Sequence, residues 1–147
     1  MMPDRIDQAT RSFLMRRVRS QNTKPEIVVR QTAHSLGFRF RLHQRNLPGS
    51  PDIVLAKHAV AIFVNGCFWH GHRKCKRAKR PTSNTEFWEQ KLDRNIQRDR
   101  AVVRKLKGLG WRVLVVWECE TKDLDGLKNT LSAFMERKYP IDGDHIG

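Results

Sequence analysis

The sequence predicts an α/β fold in which a mixed sheet is flanked by helices. Two apolar runs separated by a tight turn at 57–59 indicate an antiparallel hairpin. The second of these runs is followed by a long helix and a further strand, and such a crossover normally places its two strands parallel in one sheet. Both kinds of pairing in one chain give a mixed sheet with helices on its faces.

Helices are predicted first along the chain. A short basic helix covers about 11–18, with apolar residues on one face. A second helix begins at Thr23 and Glu26, which have capping-box spacing, has Pro25 in its first turn and ends near Gly37. The capping box by itself accounts for Glu26 without a catalytic role.

Three strands are predicted next. Alternation of apolar and basic residues over 38–42 predicts a half-buried strand, and 47–51 is a loop. The apolar runs 52–56 and 60–64 form a hairpin buried on both faces, which Asn65 terminates.

The C-terminal half supplies the crossover. A charged amphipathic helix spans about 84–109 and is stopped by Gly110. A core strand follows at 112–117, and a closing helix covers about 122–138.

Composition limits the number of domains and the class of partner. A chain of 147 residues and 17.2 kDa fits one domain. Its 29 Lys and Arg against 15 Asp and Glu leave a net charge of +14, which favours a polyanion such as nucleic acid. No run approaches the roughly 20 apolar residues of a membrane span, and the N-terminus is too charged for a signal peptide. We therefore expect neither membrane insertion nor secretion.

Cysteine and histidine residues concentrate after the hairpin. The odd number of cysteines argues against a disulfide framework and favours a reduced compartment. Cys67 and Cys75 share one loop, and Cys119 follows the last core strand, so the three thiols and one histidine would complete a tetrahedral zinc site. Spacing does not choose between His70 and His72, and the spare histidine is either a general base or a solvated loop residue. Three buried, metal-free cysteines are the alternative.

An acidic residue and an aromatic pair are further candidates. Asp52 stands at the head of an apolar strand, where it either caps a turn or, in so basic a chain, binds Mg²⁺ beside a phosphate. Phe68 and Trp69 lie in a glycine-flanked loop. They either pack over a small core or form a wedge that inserts between base steps.

Six blocks of sequence, in order, resemble the very-short-patch mismatch repair endonucleases of bacteria. They are ATRS with MR (9–16), LPGSPD (47–52), FVNGCFWHGH (63–72), EFW (86–88), NIQRD (95–99) and GWRVLVVWEC (110–119). The resemblance covers about 4–135. It implies a single endonuclease domain over 1–147 with a restriction-endonuclease-like fold.

The resemblance also implies an activity. Members of this family make a Mg²⁺-dependent nick 5′ to the thymine of a T:G mismatch, which deamination of 5-methylcytosine leaves in double-stranded DNA, and so initiate very-short-patch repair. The expected protein is a monomer of the bacterial cytoplasm, bound to the nucleoid when on DNA, with mismatch-repair proteins as candidate partners.

Site residues can be carried over one by one. The resemblance makes Asp52 the Mg²⁺ ligand together with the backbone carbonyl of Val64, His70 the catalytic imidazole, and Glu26 a polar partner near the site. A structural zinc ion is assigned to Cys67, His72, Cys75 and Cys119. Phe68 and Trp69 are expected to intercalate beside the mismatch, and Met15 enters from the other side.

This chain departs from the family pattern in three places. Asn65 stands where a second catalytic histidine is expected, and an amide can orient a phosphate or water but cannot titrate near neutral pH. Val64 replaces a hydroxyl residue, which leaves a backbone contact possible. The spacing from His72 to Cys75 is one residue longer. Asn65 keeps open a rival interpretation, a non-catalytic zinc-containing protein that binds nucleic acid.

Overall fold

The computed structural model describes residues 22–136, so Met15 and the helix predicted at 11–18 lie outside the described residues. Three helices and four strands make up this part of the chain. In order they are α1 (Lys24–Ser35), β1 (Arg41–Leu42), β2 (Ile53–Leu55), β3 (Val60–Asn65), α2 (Thr85–Gly108), β4 (Arg112–Trp117) and α3 (Leu124–Glu136).

The four strands form one mixed sheet in the order β1-β2-β3-β4, which confirms the predicted α/β class. β1 and β3 both run antiparallel to β2, whereas β3 and β4 are parallel. In the parallel pair Val60 lies opposite Arg112 and Asn65 opposite Trp117. The segments that follow Asn65 and Trp117 therefore leave the sheet at the same edge.

α1 begins as the sequence predicts, although its capping box is only half formed. The Thr23 hydroxyl accepts a hydrogen bond from the Glu26 amide at 3.4 Å. The Glu26 carboxylate accepts from the amide of Asn22 at 3.3 Å, instead of from Thr23. Beyond the helix, Gly37 adopts a φ of +89°, which suits a residue without a Cβ.

The first predicted strand is shorter than expected because its partner is short. Only Arg41 and Leu42 pair with β2, which ends at Leu55. A 3₁₀ turn over Ala56–His58 then reverses the chain towards β3. Likewise, the closing helix starts at Leu124 rather than at 122, because a 3₁₀ turn occupies the residues before it.

Helices cover both faces of the sheet. The main core joins one face to α1 and α3 through Val29, Ala33, Ile53, Leu55, Val60, Ile62, Val116, Leu127, Leu131 and Met135. Strand alternation turns Phe63 and Val115 to the other face, where they line a cleft with Val102 and Val103 of α2. Among the described residues, no helix is long and apolar enough to cross a membrane.

A candidate active site beside a Cys/His cluster

A cleft of about 500 Å³ opens beside β3 and α2. Residues from four segments line it: Glu26 from α1, Asp52 directly before β2, Asn65 and His70 from the end of β3 and the loop after it, and Asp99 from α2. The structure thus brings together the four residues that were predicted to be catalytic. Asp99 is an acid to which no role was assigned from sequence.

Asp52 is bonded across the hairpin rather than to its own turn. Its Oδ2 accepts a hydrogen bond from the Val64 amide at 2.8 Å. Burial raises the pKa of Asp52 to about 6, and the nearby Glu26 charge adds to the rise, although the Val64 bond opposes it. A bound cation would favour the ionised form of this carboxyl. The Val64 carbonyl remains a predicted ligand.

Glu26 does more than cap α1. It is almost fully buried, and its Oε2 accepts a hydrogen bond from Arg30 at 2.6 Å. The same oxygen lies 2.7 Å from Nε2 of His43. Glu26, His43 and Asp52 each offer one possible metal-binding atom, and these three atoms lie within 4.8 Å of one another.

Sequence reasoning missed His43. The residue follows the alternating strand and directly precedes a loop, with no motif around it. Its amide donates to the Asp52 carbonyl at 3.1 Å, which makes the two residues neighbours at the end of the β1–β2 ladder. The pairing of β1 with β2, if it had been aligned from the sequence, would have placed His43 beside Asp52.

His70 forms a close pair with Asp99. Its Nδ1 lies 2.6 Å from Oδ2 of Asp99. An ionised carboxylate can only accept, so this contact places the imidazole proton on Nδ1 and leaves Nε2 free to take a proton. The pair therefore has the arrangement of a general base held by an acid. Asp99 lies in a block that carries the family resemblance, but its contact with His70 is seen only in the structure.

Asn65 is the last residue of β3, and 9% of its surface is exposed. It lines the same cleft as Asp52 and His70. An amide here can hold a phosphate oxygen or a water by hydrogen bonds, in keeping with an orienting role.

The four residues predicted to bind zinc lie together. One ligand atom each of Cys67, His72, Cys75 and Cys119 lies within 4.8 Å of the others. The parallel pairing of β3 and β4 brings Cys119 to the loop that carries the other three. His72, rather than His70, belongs to this cluster.

His72 is fixed from two sides. Its Nδ1 lies 3.5 Å from the Cys119 sulfur, and its ring stacks on Trp117 with centroids 4.2 Å apart. Burial raises the pKa of the Cys67 thiol to about 12 without a metal. A metal at the cluster would have to displace that proton, because the thiolate is the ligand form.

The aromatic pair packs against α2 while lining the cleft. Phe68 and Trp69 are both half-buried and meet edge to face with centroids 5.0 Å apart. Trp88 of α2 lies 5.6 Å from the Phe68 ring and 5.8 Å from the Trp69 ring. Asn95 donates to the Trp69 carbonyl at 3.2 Å. Trp88 is a supporting residue that the sequence did not reveal, although its block was recognised.

Known proteins with similar sequences identify the family of this chain. The family model described as DNA mismatch endonuclease Vsr matches residues 3–77. A type II nicking enzyme, V.XorIIP of Xanthomonas oryzae pv. oryzae, is 45% identical over 135 residues, which cover 92% of this chain and 98% of that protein. A second, V.NmeAIP of Neisseria meningitidis, is 43% identical over 83% of this chain and 86% of its own. The DNA mismatch endonuclease Vsr of Escherichia coli K12 is 41% identical over 92% of this chain and 85% of its own. The chain therefore belongs to the Vsr family of DNA mismatch endonucleases.

Proposed function

We propose that the protein is a Mg²⁺-dependent DNA endonuclease that nicks 5′ to the thymine of T:G mismatches left by deamination of 5-methylcytosine. One observation carries the proposal: the half-buried Asp52, the buried Glu26 and the pair of His70 with Asp99 line one cleft. The relatives are named as mismatch endonuclease and nicking enzymes, which supports DNA cleavage as the reaction.

The cleft suits a divalent cation. Asp52 and Glu26 supply carboxylate oxygens, the donors that Mg²⁺ prefers, and the predicted Val64 carbonyl is a third. Desolvation is the main cause of the raised pKa of Asp52, and repulsion from the nearby Glu26 carboxylate adds to it, so a cation bound between the two acids would relieve both. When bound, Mg²⁺ would polarise the scissile phosphate and lower the pKa of the attacking water.

Protein side chains would complete the reaction. His70 is placed to move a proton at Nε2, either from the attacking water or to the leaving oxygen, while Asp99 keeps its ring oriented. Asn65 would hold a phosphate oxygen or water through its amide, because it cannot titrate in this range. Proton transfer then falls to His70 alone among these residues.

Mismatch recognition is proposed to use the aromatic pair. Phe68 and Trp69 would open the stack at the T:G step, which is easier to unstack than a paired step, and Met15 would enter from the opposite side. Excess Lys and Arg would supply affinity that any duplex shares. The enzyme would act as a monomer in the bacterial cytoplasm, on nucleoid DNA, with mismatch-repair proteins as candidate partners.

The framework is proposed to be a single restriction-endonuclease-like domain over 1–147 with a structural zinc ion. Cys67, His72, Cys75 and Cys119 match the thiolate and imidazole donors that zinc prefers in tetrahedral sites. Protein atoms would fill all four positions, so this ion would have no open site for catalysis.

Nicking of a labelled T:G duplex tests the function. We expect a single nick 5′ to the mismatched thymine in Mg²⁺, and none in the matched duplex. Asp52→Ala should abolish the nick and spare DNA binding, because it removes a metal carboxylate and leaves the basic surface unchanged. Mismatch binding without any nick by the unmodified chain would instead favour the non-catalytic DNA-binding interpretation, which Asn65 in place of histidine keeps open.

A further inference from the structure

His43 is held in an uncommon conformation beside the acids Glu26 and Asp52. Its φ of +48° lies in the left-handed region, which few residues other than glycine adopt. Its backbone amide is bonded to the Asp52 carbonyl, and its Nε2 lies 2.7 Å from the Glu26 carboxylate. The side chain is 16% exposed. Main chain and side chain together fix an imidazole between Asp52 and Glu26.

The three side chains can close around one ion. Their candidate ligand atoms lie within 4.8 Å of one another. Ligands about 2.1 Å from a small divalent ion are at most about 4.2 Å apart, so small side-chain rotations suffice. Arg30 and Nε2 of His43 both contact Oε2 of Glu26, so His43 would exchange that contact for the metal, while Oε1 accepts only a long bond, 3.3 Å, from the Asn22 amide. Oε1 is therefore the oxygen that Glu26 can offer without losing Arg30.

We propose that His43 is a direct ligand of the cation at Asp52 and Glu26, and that its imidazole shifts the preference of this site from Mg²⁺ towards Mn²⁺. The inference rests on the metal role proposed above for Asp52. Magnesium binds almost entirely to oxygen, whereas a first-row transition ion accepts nitrogen as well. Mn²⁺ also suits carboxylates, so it can use all three donors, while Mg²⁺ gains little from His43.

Mn²⁺ binding to the DNA-free, zinc-loaded protein tests the inference without any measurement of activity. We compare the unmodified chain with His43→Asn, because asparagine tolerates a positive φ better than most residues and carries no imidazole. His34→Asn is the matched control, since His34 is exposed in the last turn of α1. Free Mn²⁺ is measured by electron paramagnetic resonance, and Mg²⁺ by competition.

We expect the His43→Asn protein to lose affinity for Mn²⁺ selectively. His43→Asn should weaken Mn²⁺ binding at least about tenfold, the lower end of the loss that follows removal of even an outer-shell partner. Its Mg²⁺ affinity should change far less, and His34→Asn should match the unmodified chain for both ions. Equal Mn²⁺ affinity in all three proteins would overturn the inference.

A second measurement does not depend on the folding of a variant. Pulsed electron paramagnetic resonance of Mn²⁺ bound to the unmodified chain should show modulation from an imidazole ¹⁴N, and a folded His43→Asn protein should lose it. Absence of that modulation from the unmodified chain refutes the ligand assignment. A chain that shows it but never nicks T:G DNA retains the His43 site and loses the proposed function, so the two failures are distinguishable.

Discussion

Individual residues of the site are held against their intrinsic preferences. His43 and Ser50, on either side of the loop that leads to Asp52, both have a φ of +48°. Asp52 itself is half-buried beside a second acid, Glu26. Such strain and buried charge cost stability and persist where the surrounding structure enforces them, typically at functional sites. The loss of folding stability that Asp52 causes should therefore be measurable.

Asp52→Asn should stabilise the Mg²⁺-free protein above pH 6 while it abolishes nicking. The folded pKa of Asp52, about 6, is higher than its ordinary value of 3.8, so the wild type loses stability as pH rises through that interval. Asparagine can still accept the Val64 bond and carries no charge. We expect a gain of about 1 to 3 kcal/mol at pH 8, measured by urea unfolding.

The same comparison at pH 5 provides the control. Most of the folded wild-type population is then neutral at Asp52, so the advantage of asparagine should shrink. Groups elsewhere, including the cysteines, titrate equally in both proteins and cancel. An Asn variant that is less stable than wild type at pH 8 would contradict the argument.

Asp99→Asn should lower the single-turnover nicking rate by about 10² to 10⁴, the range for loss of general acid–base assistance. The reason is that an amide can present a donor to Nδ1 of His70 and so stabilise the wrong tautomer. Binding of T:G DNA should be nearly unchanged. Glu89→Gln is the control, because Glu89 lies on the same helix and is exposed. Equal rates for the two variants would remove the role of Asp99.

At the scale of elements, α2 supports both halves of the site. Trp88, Asn95 and Asp99 follow one another at intervals of seven and four residues, so they share one face of the helix. Trp88 packs on the aromatic pair, Asn95 holds the Trp69 carbonyl, and Asp99 holds His70. The position of this one helix therefore links proposed mismatch reading to proposed catalysis.

Local signals predicted the elements well, and non-local contacts explain the misses. Caps located α1, and apolar periodicity located β4 at its observed bounds, since both signals lie within the element itself. The length of β1 depends on a partner strand, which no local pattern reports. His43 likewise meets Glu26 across 17 residues, and Asp99 meets His70 across 29. Sequence motifs identified Glu26 and His70, one member of each pair, and only the fold revealed their partners.

Trp69→Ala should reduce the preference for T:G over matched duplex by roughly 1 to 3 kcal/mol, the scale of base–aromatic stacking. Trp88→Ala should act in the same direction with a smaller effect, because it leaves both loop rings present but less supported. Binding curves on matched and mismatched duplexes measure the preference. If Trp69→Ala retains zinc and full discrimination, the aromatic pair is core packing and the mismatch is read elsewhere.

At the scale of the whole molecule, the Cys/His cluster joins segments distant in sequence. Cys67 follows β3, and Cys119 follows β4, so a metal there would clamp the two parallel strands at the edge beside the cleft. We expect about one zinc per chain in protein purified without added metal, because four protein ligands define one tetrahedral site. Cys75→Ser should lose zinc and unfold at lower temperature. A folded chain that contains no zinc would contradict the proposal that a zinc ion links the ends of β3 and β4.

The positive charge of the chain is dense in the segment 73–80. Six of the eight residues from 73 to 80 are Lys or Arg. Arg77 pairs with Glu118, and Arg80 with Asp93, so these two anchor the segment. Among the described residues, Lys74 and Lys76 are exposed and form no ion pair. Such unpaired charges repel one another unless a polyanion lies against them.

Changing Lys74 and Lys76 to Gln should therefore weaken binding to matched and mismatched duplexes alike. Each phosphate that the protein no longer neutralises should reduce the slope of log K against log salt by about 0.9, because fewer counterions are released. Lys57 and Lys105, both exposed, are the control pair, since Lys57 lies in the turn at the opposite end of β3 from the cleft. Changing that pair should leave the slope closer to that of the wild type. Equal slopes for the two double variants would mean that the 73–80 segment does not contact phosphate and that its charge is merely solvated.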